Sequence, residues 1–443
     1  MIAAVLLVLA GLTPVRADAK GIQLIRDAEI ENIIRAYATP LFQAAGLSPQ
    51  AIDVYLVRDR SLNAFVTSGL NMFIHTGLLM RAADPLQVIG VIAHETGHLA
   101  SGHTATRGDS LRSARNKVIA SYLLGLGAVF ATGRPEFARA AISGGQDIAL
   151  KGLLRYTRSQ ETAADQAAVG LLNGTGQSPR GLLEFIRVLG GQEVLLSTNQ
   201  DPYLRTHPLA RERISFLEDQ VRRSPHGNRP ARPEYVEMHA RMHAKLTGFL
   251  EPFSRVLQKY PESDASMAAR YARAIAHFRK SDLEAALPLT DALIAERPDD
   301  PYFRELKGQM LFENGRIAEA VPEFEAAVRL LPDSPQIRLA LAQAQIEMND
   351  PELDRAALEH LSRTLHHEPG NAFAWRLSAI AYGRRGEVGM TALALAESAL
   401  AHGKAPEAGE QAVRAQRILA EGSPGWLRAV DIEQLADRLA KKQ

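Results

Sequence analysis

The strongest constraint on the fold lies in the second half of the chain, where small, aromatic and proline residues recur with a period of about 34 residues. The clearest copy runs from Pro301 to Asp333 and sets Gly308, Gly315, Ala320, Phe324, Ala327 and Pro332 at small, turn, packing and terminating positions. Ala286 and Pro298 continue the register one unit earlier. Ala357 and Pro369 continue it later, after a slip of three residues, and Trp375, Tyr382 and Gly386 mark another copy. A unit of this length holds two helices that cannot bury their apolar faces alone, so the copies must stack. Small residues let neighbouring helices approach, and the stack curves into a solenoid whose concave groove suits peptides or protein surfaces.

Period and spacing are those of the tetratricopeptide unit, so residues 263–443 read as an all-α repeat solenoid. Arg222–Pro233, RRSPHGNRPARP, is rich in Pro, Arg and Gly and marks a domain edge. Residues 223–262 are then a linker and the first helices of the repeat region. Ahead of that edge the pattern is mixed. An amphipathic helix is expected around Ile22–Gln43, a strand over Ala51–Val57, and a hairpin over Leu62–Ile74 that turns at Ser68-Gly69. The chain is therefore expected to be mainly α, with a small sheet confined to residues 20–222.

The charges, 51 basic against 50 acidic, are spread along the chain and leave a formal +1, which argues against nucleic acid as a partner. There is no cysteine, so disulfides, thiolate ligands and a cysteine nucleophile are excluded, and any metal must be held by His and carboxylate. The apolar run Ile2–Leu12, followed by Pro14, Ala17 and Ala19, reads as a secretory signal over residues 1–19. A buried N-terminal helix is the alternative, because a span needs roughly 20 apolar residues. The apolar stretch Val118–Thr132 reads as a core or site-covering helix, with a surface touching membrane or a partner as the alternative.

Asp84-Pro85 supplies a helix start, and LQVIGVIAHETGHLASGH is apolar almost all round, so this helix is expected to be buried. It carries His94-Glu95-Thr96-Gly97-His98. Residues four apart project from one helix face, so both imidazoles can hold one Zn²⁺ while Glu95 faces the water to be activated. Zinc brings the pKa of such water to about 7, and Glu95 takes its proton and passes it to the leaving amine. A third ligand is available downstream in QETAAD, where Glu161 and Asp165 again lie one turn apart. Glu161 completes a His₂Glu site with one position open, and Asp165 accepts the remaining N–H of a ligand histidine. His103 has the wrong spacing for a ligand; His239 and His243 read as a solvated pair on an outer face; His75, His366 and His367 carry no pattern. By spacing alone His207 is a loop residue.

HETGH, ETAAD, the Asn63-Ala64-Phe65 strand and the later His207-Pro208 with Arg213 together resemble the HtpX-type zinc metallopeptidases, the family that includes the CAAX prenyl proteases. The motifs cover roughly residues 60–215. The resemblance implies a zincin-like metallopeptidase domain with one zinc ion per chain, Glu161 as third ligand and Asp165 as its supporting acid. It implies that His207 sits by the metal, as a self-inhibiting ligand or a transition-state donor, with Arg213 nearby. It makes Asn63, Ala64 and Phe65 part of a substrate-binding edge strand. With a signal before and repeats after, it implies a periplasmic endopeptidase acting on unfolded or misfolded proteins, with the repeats meeting clients or the outer-membrane β-barrel assembly machinery. A chaperone or adaptor whose peptidase site is normally plugged is the alternative.

Overall fold

A computed structural model describes residues 23–67, 70–102, 157–193, 207 and 211–440. The expected signal segment, His103 and the Val118–Thr132 helix lie outside these residues.

The first helix, α1 (Ala28–Ala44), begins later than its periodicity suggests, because Asp27 caps it by accepting from the Ile30 amide. Residues ahead of the cap are extended instead, and Leu24–Ile25 form strand β1. With β2 (Asp53–Val57), β3 (Ala64–Thr67) and β4 (Asn71–His75) it builds a four-stranded sheet in the order β1-β2-β4-β3. β3 and β4 form the expected hairpin, and β2 runs parallel to β4. Side chains alternate across the sheet. Val54, Leu56, Ala64, Val66, Met72 and Ile74 are buried beneath it, while Tyr55, Phe65 and Phe73 sit half-buried on the other face.

Below the sheet, α2 (Thr76–Arg81) leads into α3 (Pro85–Ala100), where Asp84 accepts from the Leu86 amide at 2.7 Å and every residue from Pro85 to Leu99 is buried. Two helices press against α3 at glycines. α4 (Thr157–Gly174) approaches at Gly97, where a Cβ would lie 2.9 Å from the Ala164 carbonyl oxygen. α5 (Arg180–Glu193) approaches at Gly90, where a Cβ would lie 2.6 Å from the Leu182 nitrogen. α6 (Arg211–Arg223) closes the layer.

The remainder is helical. α7 (Pro233–Leu250) is shared by the two halves of the molecule: Tyr235, Met242 and Leu246 belong to the core beneath the sheet, and Ala244 belongs to the next core along the chain. After α8 (Phe253–Lys259) come the pairs α9 (Met267–Arg279) and α10 (Leu283–Glu296), α11 (Pro301–Glu313) and α12 (Ile317–Leu330), and α13 (Pro335–Glu347) and α14 (Pro351–His367). They are followed by α15 (Ala372–Arg384) with α16 (Val388–Ala401), and α17 (Ala405–Gln416) with α18 (Pro424–Ala440). The expected slip of three residues falls in α14, which has 17 residues where α10 and α12 have 14. Gly308 is small because a Cβ there would lie 2.8 Å from the Phe324 ring of the paired helix. The architecture is thus the expected one, an α+β region followed by helical repeats.

A second buried cluster of charge joins the two halves. Glu29 of α1 accepts from Arg241 Nε and Tyr271 Oη, each at 2.7 Å, and lies 3.3 Å from Lys245 Nζ. Arg241 also forks onto both oxygens of Asp300 and lies over the Phe303 ring, 4.5 Å from its centroid. Lys245 pairs with Asp27 at 2.8 Å. The first turn of α1 is therefore held by Arg241 and Lys245 of α7 and by Tyr271 of α9.

Candidate metal centre

The i,i+4 spacing on α3 sets the His94 and His98 rings edge to face, 4.8 Å between centroids, with their Nε2 atoms 3.2 Å apart. Gly97 lies between them in sequence and Ala164 lies between Glu161 and Asp165, so the close approach of the two backbones there brings both acids of α4 over the two histidines. Glu161 Oε2 is 3.2 Å from His94 Nε2, and its Oε1 is 3.2 Å from His98 Nε2. His207 comes in from the chain after α5, with Nδ1 3.0 Å from Glu161 Oε1 and Nε2 3.4 Å from Glu95 Oε1. One nitrogen or oxygen from each of His94, His98, Glu161 and His207 falls within 4.8 Å of all the others.

These atoms fit a divalent cation. His94 Nδ1 lies 3.0 Å from Asp165 Oδ1, and a carboxylate only accepts, so Nδ1 carries a proton and, in the neutral ring that binds a metal, Nε2 offers a lone pair. That lone pair meets the Glu161 carboxylate in a fully buried space. Ligand atoms about 3.3 Å apart are what tetrahedral bonds of roughly 2.0–2.1 Å produce, close to the 3.2 Å separations among His94, His98 and Glu161. Without the cation a proton takes over part of its role. Burial lowers the His94 imidazole, but hydrogen bonds to Asp165 and Glu161 outweigh it and hold the group up at about 9. Burial and the charge on His94 push His98 down to about 3, although its hydrogen bond to Glu161 acts the other way.

Arg213 of α6 ties the acids together. Its Nε and Nη2 donate to the two oxygens of Asp165 at 2.7 and 2.9 Å, and its Nη1 lies 3.0 Å from Glu161 Oε2. Burial alone would raise both acids. The hydrogen bonds of His94 and Arg213 hold Asp165 below its usual range, and His207, His94 and His98 hold Glu161 well below its own.

Asn63, Ala64 and Phe65 lie outside this cluster, on and just before β3, which packs against α3. Asn63 and Ala64 are buried and Phe65 is half-buried. The reading of His239 and His243 as solvated is corrected. His239 is buried and donates from Nε2 to the Ala82 carbonyl at 2.9 Å, and the two rings lie 4.5 Å apart. Burial lowers both, His243 to about 4. The reason is that α7 turns back after the Pro-rich segment and lays this face on α2. His75, which carried no pattern, ends β4 with Nδ1 2.8 Å from Ser61 Oγ. Sequence reasoning missed the packing role of Gly97; its only signal was a small residue between two histidines on a buried helix.

Residues 24–221 match the model of Peptidase family M48, and residues 253–301 and 271–335 match the tetratricopeptide repeat. With the buried His-His-Glu-His cluster, these matches define the class: the chain is a metallopeptidase with a helical repeat array. Among named relatives, the Beta-barrel assembly-enhancing protease of Yersinia pestis is 25% identical over 392 residues, covering 87% of this chain and 79% of the relative. The protein of the same name from Escherichia coli (strain K12) is 24% identical over 366 residues, covering 80% and 72%. Metalloprotease LoiP of Escherichia coli (strain K12) is 24% identical over 204 residues, covering 46% of this chain and 75% of the relative. The chain carries a Peptidase family M48 domain followed by tetratricopeptide repeats.

Proposed function

We propose that this chain is a zinc-dependent endopeptidase of the bacterial periplasm that degrades misfolded or stalled outer-membrane proteins. The observation that carries the reading is the convergence of lone pairs from His94, His98 and Glu161 at one buried point, with Glu95 next to His94 on the same helix. Those three residues would hold the ion, and neutral imidazoles with one carboxylate suit zinc. Bound there, zinc would polarise the scissile carbonyl and acidify the attacking water. Glu95 accepts the proton of that water and returns it to the leaving amine. Asp165 fixes the His94 ring by accepting from Nδ1, and Arg213 holds Asp165 and Glu161 in place.

His207 is fully buried and touches both Glu161 and Glu95, so in this arrangement it occupies the approach a peptide carbonyl needs. We read it as a plug that must withdraw before cleavage. The Asn63–Phe65 edge then receives substrate main chain as an added strand. The apolar N-terminal segment and the names of the relatives support a periplasmic role in outer-membrane assembly. No helix among the described residues is long and apolar enough to cross a membrane. The repeats are taken to bind clients or the assembly machinery. The complete burial of the site favours one second reading, a chaperone or adaptor whose peptidase is normally shut; a Glu95→Gln chain that keeps the cellular role would support it.

Cleavage of unfolded casein by wild type, Glu95→Gln and His207→Ala tests the proposal. Activity lost in Glu95→Gln and raised in His207→Ala is expected. Unchanged activity in Glu95→Gln would refute the assigned base, and lower activity in His207→Ala would make His207 a catalytic donor instead of a plug.

A further inference from the structure

The outer face of the sheet carries a row of aromatic rings aimed at the edge strand. Tyr55 on β2 is directly opposite Phe73 on β4, and Phe73 is directly opposite Phe65 on β3. The rings stack with centroids 5.1 and 4.9 Å apart and planes tilted by 20° and 13°. The His75 ring meets Phe65 edge to face, with centroids 6.0 Å apart. The row thus runs from an inner strand to β3, beyond which no further strand pairs among the described residues.

The register fixes which main-chain groups face that edge. Asn63 O accepts from His75 N at 2.9 Å, so Asn63, Phe65 and Thr67 direct their main-chain groups at β4. Ala64 and Val66 therefore direct theirs away from it. A substrate strand pairing with Ala64 and Val66 would lie about 4.8 Å from β3, close to the spacing at which the rings already stack. Its residue opposite Phe65 would project on the same face as Phe65.

We propose that this row selects substrate: the edge strand prefers extended segments with Phe, Tyr or Trp at the residue opposite Phe65, where that side chain becomes the fourth ring of the stack. The proposal rests on the reading of β3 as the substrate edge. Cross-strand aromatic pairs stabilise adjacent strands by about 0.2–1 kcal/mol, equivalent to a preference of up to about five-fold. The strands of outer-membrane barrels, with an aromatic girdle and alternating apolar residues, supply such segments once unfolded.

The test is cleavage-site mapping by mass spectrometry on denatured protein mixtures, using wild type, Phe65→Thr, Phe65→Leu and Phe65→Tyr. Wild type and Phe65→Tyr are expected to enrich aromatic residues about two- to five-fold at one fixed distance from the cut. Phe65→Thr and Phe65→Leu should both lose that peak, Leu keeping the burial without the ring. A flat aromatic distribution in wild-type cuts, or a peak that survives in Phe65→Leu, overturns the proposal. Should no form cleave anything, the peptidase reading fails separately. Fluorescence anisotropy then decides with two labelled strand peptides that differ by one Tyr or Ser. A Tyr preference lost in Phe65→Leu supports the ring row, and equal affinities for wild type overturn it.

Discussion

The cluster around Glu161 and the cluster around Glu29 are both buried and both set carboxylates among basic side chains, yet they are balanced differently. Glu29 meets a guanidinium, an ammonium and a phenol hydroxyl, each of which donates to it or lies beside it as a cation. Burial by itself would raise its carboxyl, and Lys245 and Arg241 bring it below its usual range. Glu161 meets one guanidinium and three imidazoles, and in the neutral ring the His94 nitrogen facing it offers a lone pair, Nδ1 carrying its proton toward Asp165. One cluster is made of fixed donors and acceptors and works as a joint; the other gathers donor atoms of His94, His98, Glu161 and His207 around one point that fits a cation. Buried charge is therefore a pointer to chemistry only after its donors and acceptors have been counted.

The comparison can be broken at either cluster. Glu95→Gln should lower cleavage of unfolded protein by about 10³-fold while leaving metal content and thermal stability near wild type, because Glu95 is not among the atoms that converge on the cation. Arg241→Ala should do the reverse, costing about 3–5 kcal/mol in denaturant unfolding by removing the guanidinium that Glu29 and Asp300 share, with metal content unchanged in the protein that folds. A smaller effect is expected from Asp165→Asn, whose metal affinity, measured by chelator competition, should fall about 10- to 100-fold.

The smallest effect is a pH dependence beside the Glu29 joint. Burial, together with Asp27, Glu29 and Glu31, outweighs Lys245 and raises the Glu305 carboxyl to about 7. A carboxyl raised in the folded state binds its proton more tightly there than in the unfolded chain, so its ionisation costs stability as pH rises from about 4.5 toward 7. Glu305→Gln should therefore be more stable than wild type in denaturant unfolding at pH 8, by an amount on the order of 1 kcal/mol. That gain should vanish near pH 4.5. An equal gain at both pH values would show that the Glu305 charge is not involved.

Much of the candidate metal centre follows from local pattern, since His94, Glu95 and His98 lie about one turn apart on a helix whose Asp84-Pro85 start and apolar surround are visible in sequence. Glu161 and Asp165 form a second such pair. The repeat period was equally visible, including the slip that the structure puts in α14. The joint was not legible. Glu29 lies in an amphipathic helix where an acid reads as solvated, and its partners Arg241, Lys245 and Tyr271 lie more than two hundred residues away. Periodicity reports which face of a helix is apolar but not which distant helix returns to cover it. The same limit explains the misreading of His239 and His243, whose face is outward only until α7 folds back onto α2.

Elemental analysis of the purified chain, alongside His94→Ala, tests the central claim most directly. About one zinc per wild-type chain, as three protein ligands with one open position require, and none held by His94→Ala is the predicted result. A wild-type chain that retains no metal after reconstitution with zinc, or a His94→Ala chain that binds it equally well, would contradict the account.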